Sequence, residues 1–365
     1  MRPAVKYVVM TLLWTAVAIY VLWIAGASRA DRAAWTISEV KIEIADSTSQ
    51  GQLVTSAEVH RWLRSARIEP IGTPAAEIDL TAIEQLIARN GFVEEVAAYI
   101  TRRGVLHIDI GQRKPLLRLL TDGENDYVTA RGFVFAAPQA SSLYVPVVTG
   151  SYRPPFPAGY TGDIRLHTDA ERERIEREIA ELEAEKLPVY RAEREDTRAY
   201  NAINKQRVKS WWKYLEEDKE YRARIERLRN EKQEARRGLR YRRRMRQQQL
   251  DQIAARQEQK RDQQKKLEKN YEDFMKLLTF VKLIERDDVW GAEVVQIVVR
   301  TASSGSLEVD LVPRSGRHII RFGRLERMPE KLDKLLRFYR KGLSKTGWET
   351  YRVIDIRYAD QVICR

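Results

Sequence analysis

Residues 79–119 read DLTAIEQLIARNGFVEEVAAYITRRGVLHIDIGQRKPLLRL, and the change of period inside this stretch sets the fold. Leu80, Ile83, Leu86 and Ile87 recur at three- and four-residue spacing, which places one apolar stripe on a helix. Asp79 is a natural cap for its start, and Asn90-Gly91 ends it with residues that tolerate left-handed backbone. Beyond the glycine the period becomes two. Val96, Ala98 and Ile100, then Leu106, Ile108 and Ile110, alternate with polar neighbours, as in two half-buried strands turned through Arg103-Gly104. Upstream, Val40, Ile42 and Ile44 alternate with Glu39, Lys41 and Glu43, and Thr55 with Glu58 forms a capping box before Val59, Trp62 and Leu63. Residues 36–111 therefore predict a small unit of order β-α-α-β-β.

Outward from this unit the texture changes twice. Residues 112–168 hold short β-like pieces, Gly132 to Phe135 and Val145 to Val148, separated by Gly and Pro. The same texture returns over 277–365, with strands expected at Val294–Val299, Leu307–Val312 and His318–Phe322. A helix follows from Pro329 to Tyr339 with Leu332, Leu335, Leu336 and Tyr339 on one face, and the last strand is expected over 351–358. Between them, residues 169–276 carry 31 Lys/Arg against 24 Asp/Glu, with no Pro after Pro188 and one Gly, Gly238. Trp211, Tyr214, Tyr221, Ile225 and Leu228, then Leu250, Ile253, Leu267, Tyr271 and Phe274, fit a thin coiled-coil seam interrupted by Asp218. Both ends must return to one β domain, so a helical arm or antiparallel hairpin is expected. The whole reads as α+β with a charged helical insertion.

Composition narrows the chemistry. The chain has 365 residues, a formal net charge of +13, one cysteine (Cys364) and four histidines. One cysteine excludes an intrachain disulfide framework, and the histidines (60, 107, 167 and 318) are too scattered for a ligand set. No nucleophile elbow, phosphate-binding loop, metalloprotease helix or dinucleotide fingerprint occurs, and the carboxylates sit beside Lys or Arg at helical spacing as solvated pairs. No catalytic, cofactor or metal site is expected, and the chain does not read as an enzyme.

At the other end, residues 7–27 (YVVMTLLWTAVAIYVLWIAGA) contain no charge. At 1.5 Å per residue they would cover about 30 Å as a helix, which predicts a membrane-spanning segment after a cytoplasmic tail of residues 1–6. The competing reading is a signal peptide cleaved near Ala25-Gly26-Ala27. Arg2 and Lys6 before the run and Arg29 and Arg32 after it leave the orientation undecided by charge.

An N-terminal apolar segment, a β-α-α-β-β unit and a β-rich C-terminal domain together resemble the FtsQ/DivIB family of bacterial division proteins. The 79–119 stretch, with its Gln112-Arg113-Lys114-Pro115 turn, looks like that family's POTRA signature, and VIDIRY (353–358) is similar to its Val-Asp-Leu-Arg-Tyr strand. DVWGAEVVQIVV (288–299), GRHIIRFG (316–323) and KTGWETYRVIDIRYADQVIC (345–364) look closest to versions from Bacteroidota. The resemblance covers about 1–165 and 277–365 and leaves out 169–276. It implies a non-enzymatic divisome scaffold of the inner membrane, N-terminus cytoplasmic and bulk periplasmic, at the division septum. Its partners would be FtsB- and FtsL-like proteins and, through them, the septal peptidoglycan synthase FtsW/FtsI. Contact would be by strand addition to an open edge of the last strand. Carried over by motif, Ile354, Ile356, Arg357 and Tyr358 are the partner-binding candidates, although alternation puts Ile354, Ile356 and Tyr358 on one face and Asp355 and Arg357 on the other, so some of them belong to the core.

The alternative function class is a membrane-anchored binder of polyanions or lipid. Arg236, Arg237, Arg240, Arg242, Arg243, Arg244 and Arg246 fall within 11 residues that hold no acid. Of these, Arg240, Arg242, Arg243, Arg244 and Arg246 are the anion-binding candidates; nucleic acid is not expected as the partner of an extracytoplasmic arm. The competing reading of the cluster is a solvated hairpin tip.

Overall fold

The computed structural model describes residues 10, 13–24, 35–45, 53–121, 123–138, 143–207, 219–303 and 305–365. It divides into two units, Met1–Ile164 with Met275–Arg365, and Arg165–Phe274.

In the first unit, strands β1 (Glu39–Ala45), β2 (Val93–Ile100) and β3 (Val105–Gln112) form a three-stranded sheet of order β1-β3-β2, with β1 parallel and β2 antiparallel to β3. Helices α1 (Ser56–Ser65) and α2 (Leu80–Ala88) supply its apolar cover. Their starts follow the local chemistry. Thr55 and Glu58 make the reciprocal capping box, and the Asp79 carboxylate accepts from the Ala82 N–H at 2.9 Å. Val59, Leu63, Ile83 and Ile87 from the helices meet Leu106, Ile108 and Ile110 from β3, all fully buried. Side chains of β3 alternate in burial as the sequence period requires.

The Gln112–Pro115 turn is braced on both sides. The Gln112 side-chain oxygen accepts from the backbone N–H groups of Leu53 (2.7 Å) and Val54 (3.2 Å). The Arg113 N–H donates to Phe92 O at 2.8 Å, and its guanidinium lies 3.6 Å over the Phe133 ring. Gly91 is needed here for space: a Cβ would stand 2.7 Å from Phe135 Cβ.

A ten-stranded sheet follows, made of β4 (Pro115–Thr121), β5 (Glu124–Thr129), β6 (Phe133–Ala136), β7 (Val147–Gly150), β8 (Gly162–Asp163), β9 (Val294–Thr301), β10 (Leu307–Pro313), β11 (Ile319–Arg324), β12 (Val353–Asp355) and β13 (Ile363–Cys364). Its order is β13-β12-β11-β10-β9-β7-β4-β5-β6-β8. Helix α5 (Met328–Phe338) connects β11 to the last two strands, turning Leu332 and Leu335 inward. Residues 277–284 pack against the same unit, with Phe280 and Phe322 ring centroids 4.6 Å apart.

Three expectations are corrected. Among the described residues no helix is long and apolar enough to cross a membrane. Within 7–27 the described residues are 10 and 13–24, all helical, and residues 1–9, 11–12 and 25–34 lie outside the described residues. The described architecture is α+β, and the transmembrane helix expected over 7–27 is not found among its described helices. The last strand is not an open edge: β12 keeps only three residues, pairs in parallel with β11 and is covered on its other side by β13. The third concerns the insertion: of its expected seam Leu250, Ile253 and Phe274 are buried, but among the described residues the contact line is not the continuous apolar seam of a coiled coil.

That second unit consists of most of α3 (Ile164–Lys205) and most of α4 (Lys219–Arg286). Cross-helix partners run in opposite directions: Glu178 with Lys260 (2.5 Å), Glu185 with Arg256 (3.2 Å), Asp196 with Arg246 (2.6 Å), and Gln206 with Lys232. The helices are therefore antiparallel. Buried Ile175, Leu239, Leu250 and Ile253 are interspersed with buried Thr168, Asp196 and Gln257, so the contact line is mixed apolar and polar rather than a heptad of apolar knobs. Leu228 is exposed, and Trp211, Tyr214 and Asp218 lie outside the described residues.

Asp126 on β5 is 2 % exposed, and its Oδ2 has no hydrogen-bond partner among the described residues. Burial, with Glu124 nearby, pushes its carboxyl up to about 6. The unfolded chain loses this proton near the ordinary carboxylate value and the folded chain only near 6, so the site favours folding at low pH and its contribution is lost as pH rises through that window. Asp126→Asn is expected to match the parent below pH 4 and to exceed its stability by about 2 kcal/mol at pH 7.5, read from urea denaturation across pH.

Candidate partner-docking surface

The ten-stranded sheet ends at β13, and the chemistry of that end begins with its ladder. Val353 and Arg365 exchange both backbone bonds, each at 3.0 Å, and Cys364 stands opposite Ile354. In an antiparallel ladder such pairs alternate, so Ile363 and Arg365 direct their backbone groups to β12 while those of Val362 and Cys364 point away from it. This outward row, not β12, is the unpaired edge.

Of the four carried-over residues, Ile354 and Ile356 are fully buried. They anchor β12 and the turn after it in the core, and their side chains present no contact surface. Arg357 and Tyr358 are exposed, Tyr358 at 46 %. The Arg357 guanidinium grips Asp355 with Nε at 3.0 Å and Nη2 at 2.6 Å, and its Cζ lies 5.9 Å from the Tyr358 ring centre. Burial works against the Asp355 charge, but the bonds from Arg357 prevail and hold its carboxyl below the usual range. Close backbone approach sets this corner. At Gly323, φ is +73° and a Cβ would meet Arg357 Cγ at 2.6 Å.

Two lysines of α5 fasten the sheet end. Lys331, almost fully buried, donates to Phe322 O (3.1 Å) and Arg324 O (2.7 Å) at the end of β11. Lys334 donates to Ile356 O at 3.0 Å and to Tyr358 O, so one ammonium holds the turn that carries Tyr358. Burial lowers both lysines from their ordinary value. A cavity of about 410 Å³ opens beside this turn, lined by the basic Arg327, Lys331, Lys334 and Arg337 and the acidic Glu330 and Asp360, with Tyr358 and Ala359 as further walls. An exposed tyrosine, a strand edge and a cationic recess thus share one end of the sheet. The arrangement can accept an extended acidic segment; among the described residues no cluster of side chains is built to hold a metal.

Two family models match the chain: "FtsQ/DivIB, C-terminal related" over residues 258–365, which spans the whole docking surface, and "POTRA-like domain" over 36–111. The chain thus carries a C-terminal region related to FtsQ/DivIB and a POTRA-like domain. No curated protein matches it. The FtsQ/DivIB family is one of division scaffolds, and the two matched domains suggest that role here. Between the two matched regions lies 112–257, which holds much of the helical pair.

The arginines proposed from sequence as anion binders are sorted by that pair. Arg242 and Arg246 reach the buried Asp196 of α3 at 3.8 and 2.6 Å. Arg243 approaches Glu193 at 3.8 Å and the Tyr200 ring. Arg240 and Arg244 remain exposed. The outward backbone row at Val362 and Cys364 and the Lys334 clamp were not anticipated. Alternation in the terminal VIC is a faint signal for the first, whereas the Lys334 partners are carbonyls more than 20 residues away and leave no side-chain pattern.

Lys334→Ala removes the clamp without touching the β12 ladder. Amide exchange at residues 357–362 should accelerate at least tenfold while that of β1–β3 is unchanged, as hydrogen-exchange mass spectrometry would register.

Proposed function

We propose that this division scaffold receives an extended segment of an FtsB- or FtsL-like partner on the outer edge of β13, and through it helps control septal peptidoglycan synthesis by FtsW/FtsI. The supporting observation is the outward backbone row of Val362 and Cys364 at the end of a ten-stranded sheet, beside an exposed Tyr358. A strand laid there gains main-chain hydrogen bonds, while Tyr358 supplies a rigid anchor and the lysines and arginines of the recess attract carboxylates. Arg357 takes part through its charge, with Asp355 fixing its direction. Ile354 and Ile356 act indirectly by holding the edge in place.

Weakness of the edge in isolation suits this role. β13 has two residues, too short to pair indiscriminately, so side-chain contacts must complete recognition.

A polyanion-binding arm as the whole function is less well supported, because Arg242, Arg243 and Arg246 are engaged with α3.

Cys364→Pro deletes an outward N–H and leaves the inward bonds of Ile363 and Arg365 in place, a substitution tolerated at strand edges. With the FtsB-like partner of the same organism, this variant and Tyr358→Asp should each weaken binding about tenfold at unchanged melting temperature, measured by calorimetry. Affinities within twofold of the parent for both variants would remove β13 as the docking edge.

A further inference from the structure

Charge is distributed unevenly along the helical arm. Residues 190–246 carry 20 Lys/Arg against 10 Asp/Glu, whereas 165–189 and 247–274 together carry 11 against 14. The positive charge thus sits in the half nearer the α3–α4 connection, and the half nearer the sheet-bearing unit in sequence is slightly acidic.

Within the basic half the structure separates two sets of arginines. The inward set is occupied: Arg242 and Arg246 hold Asp196, Arg243 meets Glu193, and Arg236 lies against the Tyr200 ring, 5.8 Å from its centre. Leu239, Leu250 and Ile253 mark the same inward line. The outward set follows from helical phase. Arg237, Arg240, Tyr241 and Arg244 fall on the opposite face, within about 10 Å along the axis. All four are exposed, Tyr241 at 63 %. Arg240 Nε bonds Arg236 O one turn back at 3.4 Å, and among the described residues neither Arg237 nor Arg244 has an acidic partner. Three unneutralised guanidinium groups around one exposed phenol, with Met245 beside them at 41 % exposure, form a patch that the internal pairing of the arm does not use.

We propose that this outward face docks onto an anionic phospholipid surface. Guanidinium groups recognise phosphate in a planar, bidentate manner, and basic residues on a helix near a charged leaflet each add to binding. Tyr241 and Met245 fit the same occupant, since an amphipathic ring and a flexible thioether rest at the headgroup level between phosphates. The patch is a single convex row with one aromatic residue. It lacks the succession of aromatic platforms that single-stranded nucleic acid stacks upon and the protruding recognition helix that reads a groove. A flat bilayer makes no such demand. The inward arginines keep the two helices in register, so that the outward ones are presented on a stiff support rather than a loose basic tail.

The test uses the full chain in sedimentation with vesicles of phosphatidylcholine and of phosphatidylcholine with about 30 mol % phosphatidylglycerol. Neutral vesicles report whatever the rest of the chain contributes. The expected result is a preference for anionic vesicles that falls steeply with added salt. The triple variant Arg237→Glu, Arg240→Glu, Arg244→Glu should reduce it at least tenfold. A charge-matched triple, Lys265→Glu, Lys266→Glu, Lys269→Glu, on exposed positions of the acidic half should leave it within twofold. Equal losses in both triples would show that net charge alone acts, and the patch would be withdrawn. So would the absence of anionic preference, or tighter binding to a single-stranded oligonucleotide than to the anionic vesicles. Cys364→Pro is expected to leave vesicle binding unchanged, which separates this outcome from that of the β13 docking site.

Discussion

Everything at the C-terminal end depends on one pairing between distant pieces of chain, the parallel ladder of β7 and β9. Val147 stands opposite Gln296 and Gly150 opposite Val299, with a 2.8 Å bond from Gln296 Nε2 to Thr149 Oγ1 reinforcing the register. This ladder joins the strands that precede the arm to those that follow it, and so makes ten strands one sheet. Contact is intimate enough to exclude a side chain, since a Cβ on Gly150 would lie 2.0 Å from Val299 O. Closing so long a loop is less costly than its length suggests. The intervening chain folds back on itself as paired helices, and closure entropy grows only slowly with length.

The arm achieves its own closure by unusual means for a two-helix element. Propensity favours each long helix, but little apolar surface is available between them. Asp196, buried and reached by two arginines, therefore matters beyond its electrostatic energy. A carboxylate removed from water is tolerable only with its partners in place, so a slip of one helix along the other would strand it. Gln257 has a comparable position lower down, donating to Glu183 at 2.8 Å and accepting from Lys186. Polar groups of this kind contribute register more than net stability, which accords with helices whose contact line has few aliphatic residues.

Legibility in the sequence followed the strength of periodicity. The capping box at Thr55, the Asp79 cap, the alternation from Val96 to Ile110 and the stripe of α5 were readable because each is local and repeats. The apolar run at 7–27 yields no membrane-long helix among the described residues, because composition sets only a capacity for spanning. At the other end, VIDIRY alternates as a strand should, yet pairing with β11 ends after the Ile356 N–H bond to Arg321 O. There Arg357 turns its side chain back on Asp355 and its N–H bonds Asp355 Oδ1 at 3.1 Å, while Lys334 collects carbonyls from the following turn. Such side-chain-to-backbone contacts override a strand pattern without altering it. Burial on both faces likewise hides from sequence which of Ile354, Ile356 and Tyr358 faces solvent. Only Tyr358, beyond the last paired residue, does so.

The same interruption explains why the sheet can end in a usable edge. Had 351–358 run on as one strand, it would have offered eight residues of unsatisfied backbone to any chain in the cell, a hazard that folded proteins avoid. Stopping β12 at three residues and laying β13 across it reduces the exposed ladder to the Val362 and Cys364 row. The turn between them is not wasted length: fixed by Lys334, it sets Tyr358 and the cationic recess beside the remaining edge. In the proposed docking, selectivity would come from requiring all three at once, since a short ladder alone binds weakly and an aromatic or a charge alone binds many things. Shortening the strand is what brings the three together.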